Sequence, residues 1–161
     1  MAEYSFVTIW RIEAPIEQVY DAIRDSLAWP TRRPAVTAVK PVRSGDPVTG
    51  LGDVRRYACK GRLPYKLWFN LRVSRVEPPN VLGGVASGEL VGNGLWTLSQ
   101  DGPTLTTVRY DWNVETTRWW MNVLAPLAGP IFRANHDFVM SSGLEGLTRL
   151  LGVRAISLRA T

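Results

Sequence analysis

The middle of the chain alternates apolar and polar residues, which is the spacing of a half-buried β-strand. The clearest run, LTTVRYDWNVETT, directs four large apolar side chains to one face: Val108, Tyr110, Trp112 and Val114. A second run places Phe69 on one face with Leu67 and Leu71, and a third separates Trp96 from its polar neighbours. Turn signals that contain Gly, Pro or Asp-Gly divide these runs. The pattern predicts about six consecutive strands after residue 35, joined as an antiparallel meander with one solvated face.

Two segments carry helical periodicity instead. In APIEQVYDAIRDSL, Pro15 suits the first helical turn and Glu17 suits the positive end of the helix dipole. The second segment extends from Phe132 to Gly152, a residue suited to a helix C-cap. A strand in YSFVTIWRIE precedes both helices. The predicted order is therefore strand, helix, about six strands and a long C-terminal helix whose apolar surface covers the sheet.

The C-terminal helix is predicted to bury an unusual stripe of residues. A helical wheel at about 100° per residue aligns these positions: Phe132, His136, Val139, Gly143, Gly146 and Leu150. Four longer side chains flank the stripe: Met140, Leu144, Leu147 and Leu151. A helical glycine costs about 1 kcal/mol relative to alanine, so the two glycines need a compensating role. Either another backbone approaches them closely, or they leave space for a ligand beside Trp96, Tyr110 and Trp112 on the inner sheet face.

Composition favours one globular domain over a disordered or membrane-spanning chain. The 161 residues are 45% hydrophobic and 20% charged, with a net charge of +5. The sixteen arginines are scattered rather than clustered, so we expect a solvated basic surface and no specific nucleic-acid site. The start of the chain lacks the pattern of a signal peptide, and the segment WWMNVLAPLAGPIF is short and interrupted by proline. These features predict a cytoplasmic protein without a transmembrane segment.

Chemical motifs are scarce. One cysteine, Cys59, and one histidine, His136, exclude an internal disulfide and the usual structural zinc sites. The segment GLGDVRR lacks the spacing of nucleotide-binding loops, and no nucleophile motif occurs, so no metal or cofactor is expected. His136 is the one candidate general acid or base, and its alternative role is that of a buried, satisfied histidine. The pattern leaves open whether Arg56 and Glu89 point inward or to solvent.

Several segments together resemble a known superfamily. They are EAPIEQVYDAIRD after the first strand, GLGDVRRY in the meander, GLWTLSQDGPTLTTVRYDWNV, and NHDFVMSSGLEGLTRLLG in the last helix. Their order is similar to that of the START-like helix-grip superfamily, within it the SRPBCC or polyketide cyclase/dehydrase-like group, over about residues 4 to 152. The resemblance implies a curved antiparallel sheet that grips the C-terminal helix, with a cavity between them for a hydrophobic or aromatic molecule.

We therefore predict an α+β helix-grip domain over residues 1–152, with about six to seven strands, and a C-terminal tail over residues 153–161. The predicted function is binding of a polyketide-like, aromatic or lipid ligand by these residues: Phe69, Trp96, Tyr110, Trp112, His136, Val139, Met140, Gly143 and Leu147. One alternative is a polyketide cyclase or dehydratase that uses His136 as general acid/base. Another is a membrane- or RNA-associated accessory protein, suggested by the net charge and the WWMNVLAPLAGPIF segment. Either a monomer or a homodimer is compatible with the sequence.

Overall fold

A single antiparallel sheet dominates the computed structural model, which describes residues 3–25, 36–60, 67–117, 123 and 125–159. Eight strands occur in this part of the chain: β1 Glu3–Ile12, β2 Val36–Arg43, β3 Val54–Cys59, β4 Leu67–Glu77, β5 Val81–Gly88, β6 Leu90–Gly102, β7 Leu105–Thr116 and β8 Ala155–Arg159. Two helices accompany them: α1 Ile16–Arg24 and α2 Ala125–Leu151.

The strand order in the sheet is β2-β3-β4-β5-β6-β7-β1-β8. Consecutive strands from β2 to β7 pair as a meander, and β1 closes against β7. The predicted α+β helix-grip architecture is confirmed, with eight strands instead of six to seven. The additional strand comes from residues predicted as a C-terminal tail, because Ala155 to Arg159 pair with Ile12 to Thr8 of β1.

Two clusters of buried side chains fill the space on the inner face of the sheet. The first surrounds α1 and includes Trp10, Tyr20 and Leu98. The second includes Phe6, Tyr57, Phe69, Trp112 and Val114. Thr106 of β7 anchors the start of α1 by donating a buried hydrogen bond of 2.7 Å to the carbonyl of Ala14. The first cluster packs α1 against the sheet, and the second surrounds much of a cavity described below.

The buried face of α2 differs from the predicted stripe. Leu150 is 47% exposed, whereas Leu144 and Leu147 are buried and Leu151 packs against the first cluster. The helix contacts β1, β8 and α1, so its C-terminal half is covered on the flank that the wheel assigned to the leucines. Ser142 is also buried, and its hydroxyl has no hydrogen-bond partner in the described part of the chain.

The C-terminal end of α2 follows ordinary helix rules. The described helix starts at Ala125, before the predicted start at Phe132, and contains Pro130 in its interior. Gly152 adopts a left-handed conformation with φ of 64°, and the N–H of Val153 bonds to the carbonyl of Thr148 at 3.2 Å. This pairing satisfies a terminal carbonyl as in a Schellman motif. The side chain of Phe132, predicted on the stripe, lies outside the described part.

Candidate functional site

A cavity of about 140 Å³ lies between the inner face of the sheet and α2. We call it the first cavity. Its walls are mostly apolar and come from alternate residues of β1, β3, β4, β6 and β7, because side chains two positions apart share a face of a strand. Helix α2 closes it with Asn135, His136, Val139 and Met140.

Large aromatic rings form one wall of the first cavity. Trp96 lies opposite Tyr110 in the register of β6 and β7, and their rings stack with centroids 4.0 Å apart. Trp112 lies 5.8 Å from Tyr110 and 5.6 Å from Phe69 between ring centroids. Gly94 pairs with Trp112, and a Cβ there would lie 2.6 Å from the Tyr110 hydroxyl oxygen and 2.9 Å from Trp112 Cε3. The absent side chain of Gly94 therefore leaves the space that the Tyr110 and Trp112 side chains occupy.

The chain's single histidine, His136, lines the first cavity from α2. Its imidazole stacks on Phe6, with ring centroids 4.5 Å apart, and its Nε2 lies 3.3 Å from the Thr8 hydroxyl oxygen. Burial, and secondarily the positive charge of Arg133, lower the pKa of His136 to about 4. The Arg133 guanidinium lies 5.5 Å from the centre of the same Phe6 ring. The imidazole is therefore neutral near pH 7 and can donate or accept one hydrogen bond at each nitrogen according to its tautomer.

Seven of the nine predicted ligand-binding residues line the first cavity: Phe69, Trp96, Tyr110, Trp112, His136, Val139 and Met140. The other two, Gly143 and Leu147, are buried further along α2, and Leu147 belongs to the first cluster, around α1. They lie outside the cavity wall because α2 passes beyond the cavity before it ends. Whether the seven residues contact a ligand stays a prediction.

Sequence reasoning missed other parts of the wall. Tyr4 and Phe6 of β1, and Tyr57 and Cys59 of β3, also line the first cavity. The sequence contains the spacing that could have revealed them, because the two residues of each pair are two positions apart and so share one face of a strand. In β1 the same alternation continues from Phe6 to Trp10. Assigning that face to the cavity required the pairing of β1 with β7, which brings together residues over a hundred positions apart.

The structure settles the orientation of the charged residues on β3 and beside β5. Arg56 is exposed, with its guanidinium carbon 5.0 Å from the Trp68 ring centre and its Nε donating to Asn70 at 3.2 Å. A carboxylate oxygen of Glu89 accepts a hydrogen bond from the Trp68 N–H at 2.8 Å. Neither residue lines the first cavity. The inward-facing arginine is Arg55, which pairs with Leu71 of β4 and whose side chain is 22% exposed.

A second cavity of about 80 Å³ adjoins the first. Four side chains line both cavities and separate them: Tyr57, Leu71, Trp96 and Tyr110. We call these four the partition. On the far side of the partition, the wall becomes polar with Arg24, Thr49, Asp53 and Arg55.

The structure bears on the membrane alternative only in part. Within the described ranges, no helix is long and apolar enough to cross a membrane. Most of the segment WWMNVLAPLAGPIF lies outside the part of the chain whose side chains the structure describes.

Comparisons with known proteins agree with this geometry. Residues 5–152 match the sequence model of a family described as polyketide cyclase/dehydrase and lipid transport. A search of curated protein sequences gives no significant match. The solved structure of the Zhui aromatase/cyclase from Streptomyces sp. R1128 is similar, with a TM-score of 0.73 at 14% identity over 93% of this chain and 94% of that one. A START superfamily protein from Mycobacterium smegmatis also has a TM-score of 0.73, at 15% identity over 94% of this chain and 99% of that one. At these identities the likeness shows the fold.

Proposed function

Because the chain belongs to the polyketide cyclase/dehydrase and lipid transport family, we propose that it binds a hydrophobic, ring-bearing small molecule in the first cavity. The observation that carries the proposal is the cavity wall, in which flat rings and aliphatic side chains surround His136. Mostly apolar walls with a few polar groups are typical of small-molecule sites. The similarity to a protein named as an aromatase/cyclase supports a ligand with rings.

The size of the first cavity sets the part of a ligand that it can hold. Its volume of about 140 Å³ is close to that of engineered apolar cavities of about 150 Å³, which bind benzene. One ring therefore fits without rearrangement. His136, neutral and hydrogen-bonded to Thr8, offers the ring a polar edge at modest desolvation cost.

Binding can be tested with 6-phenylhexanamide, an uncharged molecule with one ring and a flexible chain. We expect saturable one-to-one binding in isothermal titration calorimetry. Val139→Phe would fill the cavity from α2 and weaken binding by about tenfold or more, which is a loss of about 1.4 kcal/mol. Val91→Phe is the matched control, since Val91 is exposed on β6 and outside the cavity wall. Absence of binding, or equal binding by the Val139 variant, would contradict the proposal.

A second candidate function is acid–base catalysis on an enolisable ligand. It is favoured by the position of His136 in the cavity wall, with Nδ1 having no hydrogen-bond partner among the described residues. In this role the imidazole would take a proton from the carbon next to a ketone and return it. A pKa of about 4 makes the imidazole a weak base, which is why binding comes first.

The catalytic role is tested by deuterium uptake from D₂O into 2-tetralone, an enolisable bicyclic ketone. A catalyst would accelerate uptake above the buffer rate, and His136→Gln would lose that acceleration by about a hundredfold, as for a typical general base. A binding protein would leave the buffer rate unchanged. Acceleration that survives in the His136 variant would exclude this residue as the base.

A further inference from the structure

The second cavity has a polar end that the binding of an apolar ring does not use. We propose that this end receives the carboxylate of an amphipathic ligand, through Arg55, while the ring of the same ligand occupies the first cavity. The inference rests on the proposed function, because the ring site anchors the ligand. It adds a charged recognition group and therefore a chemical class, that of ring-bearing carboxylic acids.

The partition is the reason to treat the two cavities as parts of one site. Tyr57, Leu71, Trp96 and Tyr110 each face both cavities, so no backbone layer separates them. Leu71 is a flexible side chain, and its atoms would lie only 2.8 Å from a Cβ on Gly84, which shows that it leans over a glycine instead of another side chain. A rotamer change of Leu71, which is partly buried, would be a local rearrangement of one side chain. An alkyl chain attached to the ring can therefore pass from one cavity to the other.

The pairing of β3 with β4 places Arg55 on the inner face of the sheet. Arg55 pairs with Leu71, and Tyr57 and Asp53 lie two residues away on the same face. Its Nη1 donates to the carbonyl of Arg24 at 3.3 Å, and its Nη2 lies 3.8 Å from a carboxylate oxygen of Asp53. With its side chain 22% exposed, the guanidinium is screened less than a surface arginine, so its attraction to an anion is stronger.

The charges around the second cavity favour an anion over a cation. Two guanidinium groups, those of Arg24 and Arg55, face a single carboxylate, that of Asp53, among the described wall residues. Asp53 is already engaged, because its Oδ1 accepts a hydrogen bond of 2.6 Å from the Gly45 N–H. Arg24 donates to the carbonyl of Val48 at 3.3 Å and lies at the exposed mouth. A carboxylate is the monoanion that suits such a site, because an arginine can bind it through two parallel hydrogen bonds.

The experiment compares 6-phenylhexanoate with 6-phenylhexanamide, which share ring and chain and differ in charge. We expect the acid to bind the unmodified protein about tenfold tighter than the amide in calorimetry at low salt. In Arg55→Gln this preference should fall to about twofold or less, with amide affinity changed by less than about threefold. Arg56→Gln, one residue away but on the outer face, is the control and should keep the full preference.

Asp53→Asn supplies a second, opposite test. The amide oxygen of asparagine can still accept the Gly45 hydrogen bond, while the competing negative charge beside Arg55 is removed. We expect the preference for the acid to increase by about threefold or more. If the Arg55 variant fails to fold, judged by its thermal unfolding, the Asp53 variant decides, and an unchanged preference there overturns the inference.

The outcomes separate this inference from the proposed function. If neither molecule binds, the proposed ring site is wrong. If the amide binds and the acid binds equally well, the ring site stands and the carboxylate site is overturned. A preference for the acid that persists in a folded Arg55→Gln variant also overturns it, because the charge would then be recognised elsewhere.

Discussion

His136 is an ionisable side chain inside a largely apolar wall, and its surroundings determine its charge. Phe6 stacks on one face of the imidazole, and the Thr8 hydroxyl is its hydrogen-bond partner. Protonation would bury a cation beside a second positive group, Arg133, which is why the pKa falls to about 4. The ring is better suited to hydrogen-bonding a ligand than to carrying charge at neutral pH.

The depressed pKa of His136 predicts how stability depends on pH. Between pH 4 and 6.5 the unfolded chain binds a proton that the folded protein does not, so the free energy of unfolding rises with pH across this window. From pH 7 down to pH 4, we expect the unmodified protein to lose about 2–3 kcal/mol more than His136→Gln, in which this group no longer titrates. Urea unfolding at each pH measures the difference. The carboxylates are the same in both proteins, so their contribution cancels in the comparison. Parallel curves of unfolding free energy against pH would mean that the pKa of His136 is not lowered in the folded protein.

Gly94 tests whether the aromatic wall depends on one missing side chain. In Gly94→Ala, the added methyl group would overlap Trp112 Cε3 and the Tyr110 hydroxyl. We expect a loss of about 1–3 kcal/mol in the free energy of unfolding, the usual cost of overpacking, and weaker binding of 6-phenylhexanamide as the rings move. Gly102→Ala on the same strand is the control, since its Cβ would lie 3.7 Å from the nearest atom, in Leu105. Equal stability of the two variants would show that the rings adjust freely.

At this scale, alternation along single strands predicted the inner positions of Trp96, Tyr110 and Trp112. It could not choose between Arg55 and Arg56, because neighbouring residues face opposite sides and a shift of one position exchanges them. The choice depends on pairing with β4, where Arg55 lies opposite Leu71 and Arg56 opposite Asn70. A local pattern of two arginines carries no information about that register.

Elements with long, regular periodicity were predictable, and elements defined by a distant partner were not. Strand β8 has five residues and pairs with β1, over a hundred residues earlier. Its formation therefore depends on a partner that no local sequence window contains. Helix α2 shows the same limit. Its helical character was evident, but the exposure of Leu150 follows from where α1 and β8 cover it.

The link between β1 and α1 depends on a side-chain hydrogen bond from β7. Thr106 is fully buried and donates to the carbonyl of Ala14, just before α1 begins. Thr106→Val keeps the shape but leaves that carbonyl unpaired in the core, which should cost about 1–3 kcal/mol of unfolding free energy. Thermal or urea unfolding measures it.

Thr97→Val on β6 is the matched control, because Thr97 is exposed on the outer face. We expect a change within about 0.5 kcal/mol there, as for ordinary surface substitutions. If the two variants lose equal stability, the loss comes from replacing any threonine of this sheet by valine. It would then not come from the hydrogen bond between Thr106 and Ala14.

In the whole molecule, the two clusters of buried side chains differ in how much of each borders the first cavity. Trp10, Tyr20 and Leu98 pack around α1 without help from a ligand. The rings of the second cluster, including Phe69 and Trp112, lie around the first cavity. A void of this kind forfeits dispersion contacts that a filled core would make. A bound ring should recover part of that loss, so occupancy and global stability are expected to be coupled.

This coupling predicts the size of ligand-induced stabilisation. A molecule that binds only the folded state at about 100 times its dissociation constant raises the free energy of unfolding by about 2.7 kcal/mol. We expect this rise for 6-phenylhexanamide with the unmodified protein and with Val91→Phe, measured by urea unfolding. At the same amide concentration, Val139→Phe should show a much smaller rise, because its added ring occupies the first cavity from α2. An equal rise in all three proteins would mean that the amide binds outside the first cavity. Filling the first cavity would then not account for the stabilisation of the fold.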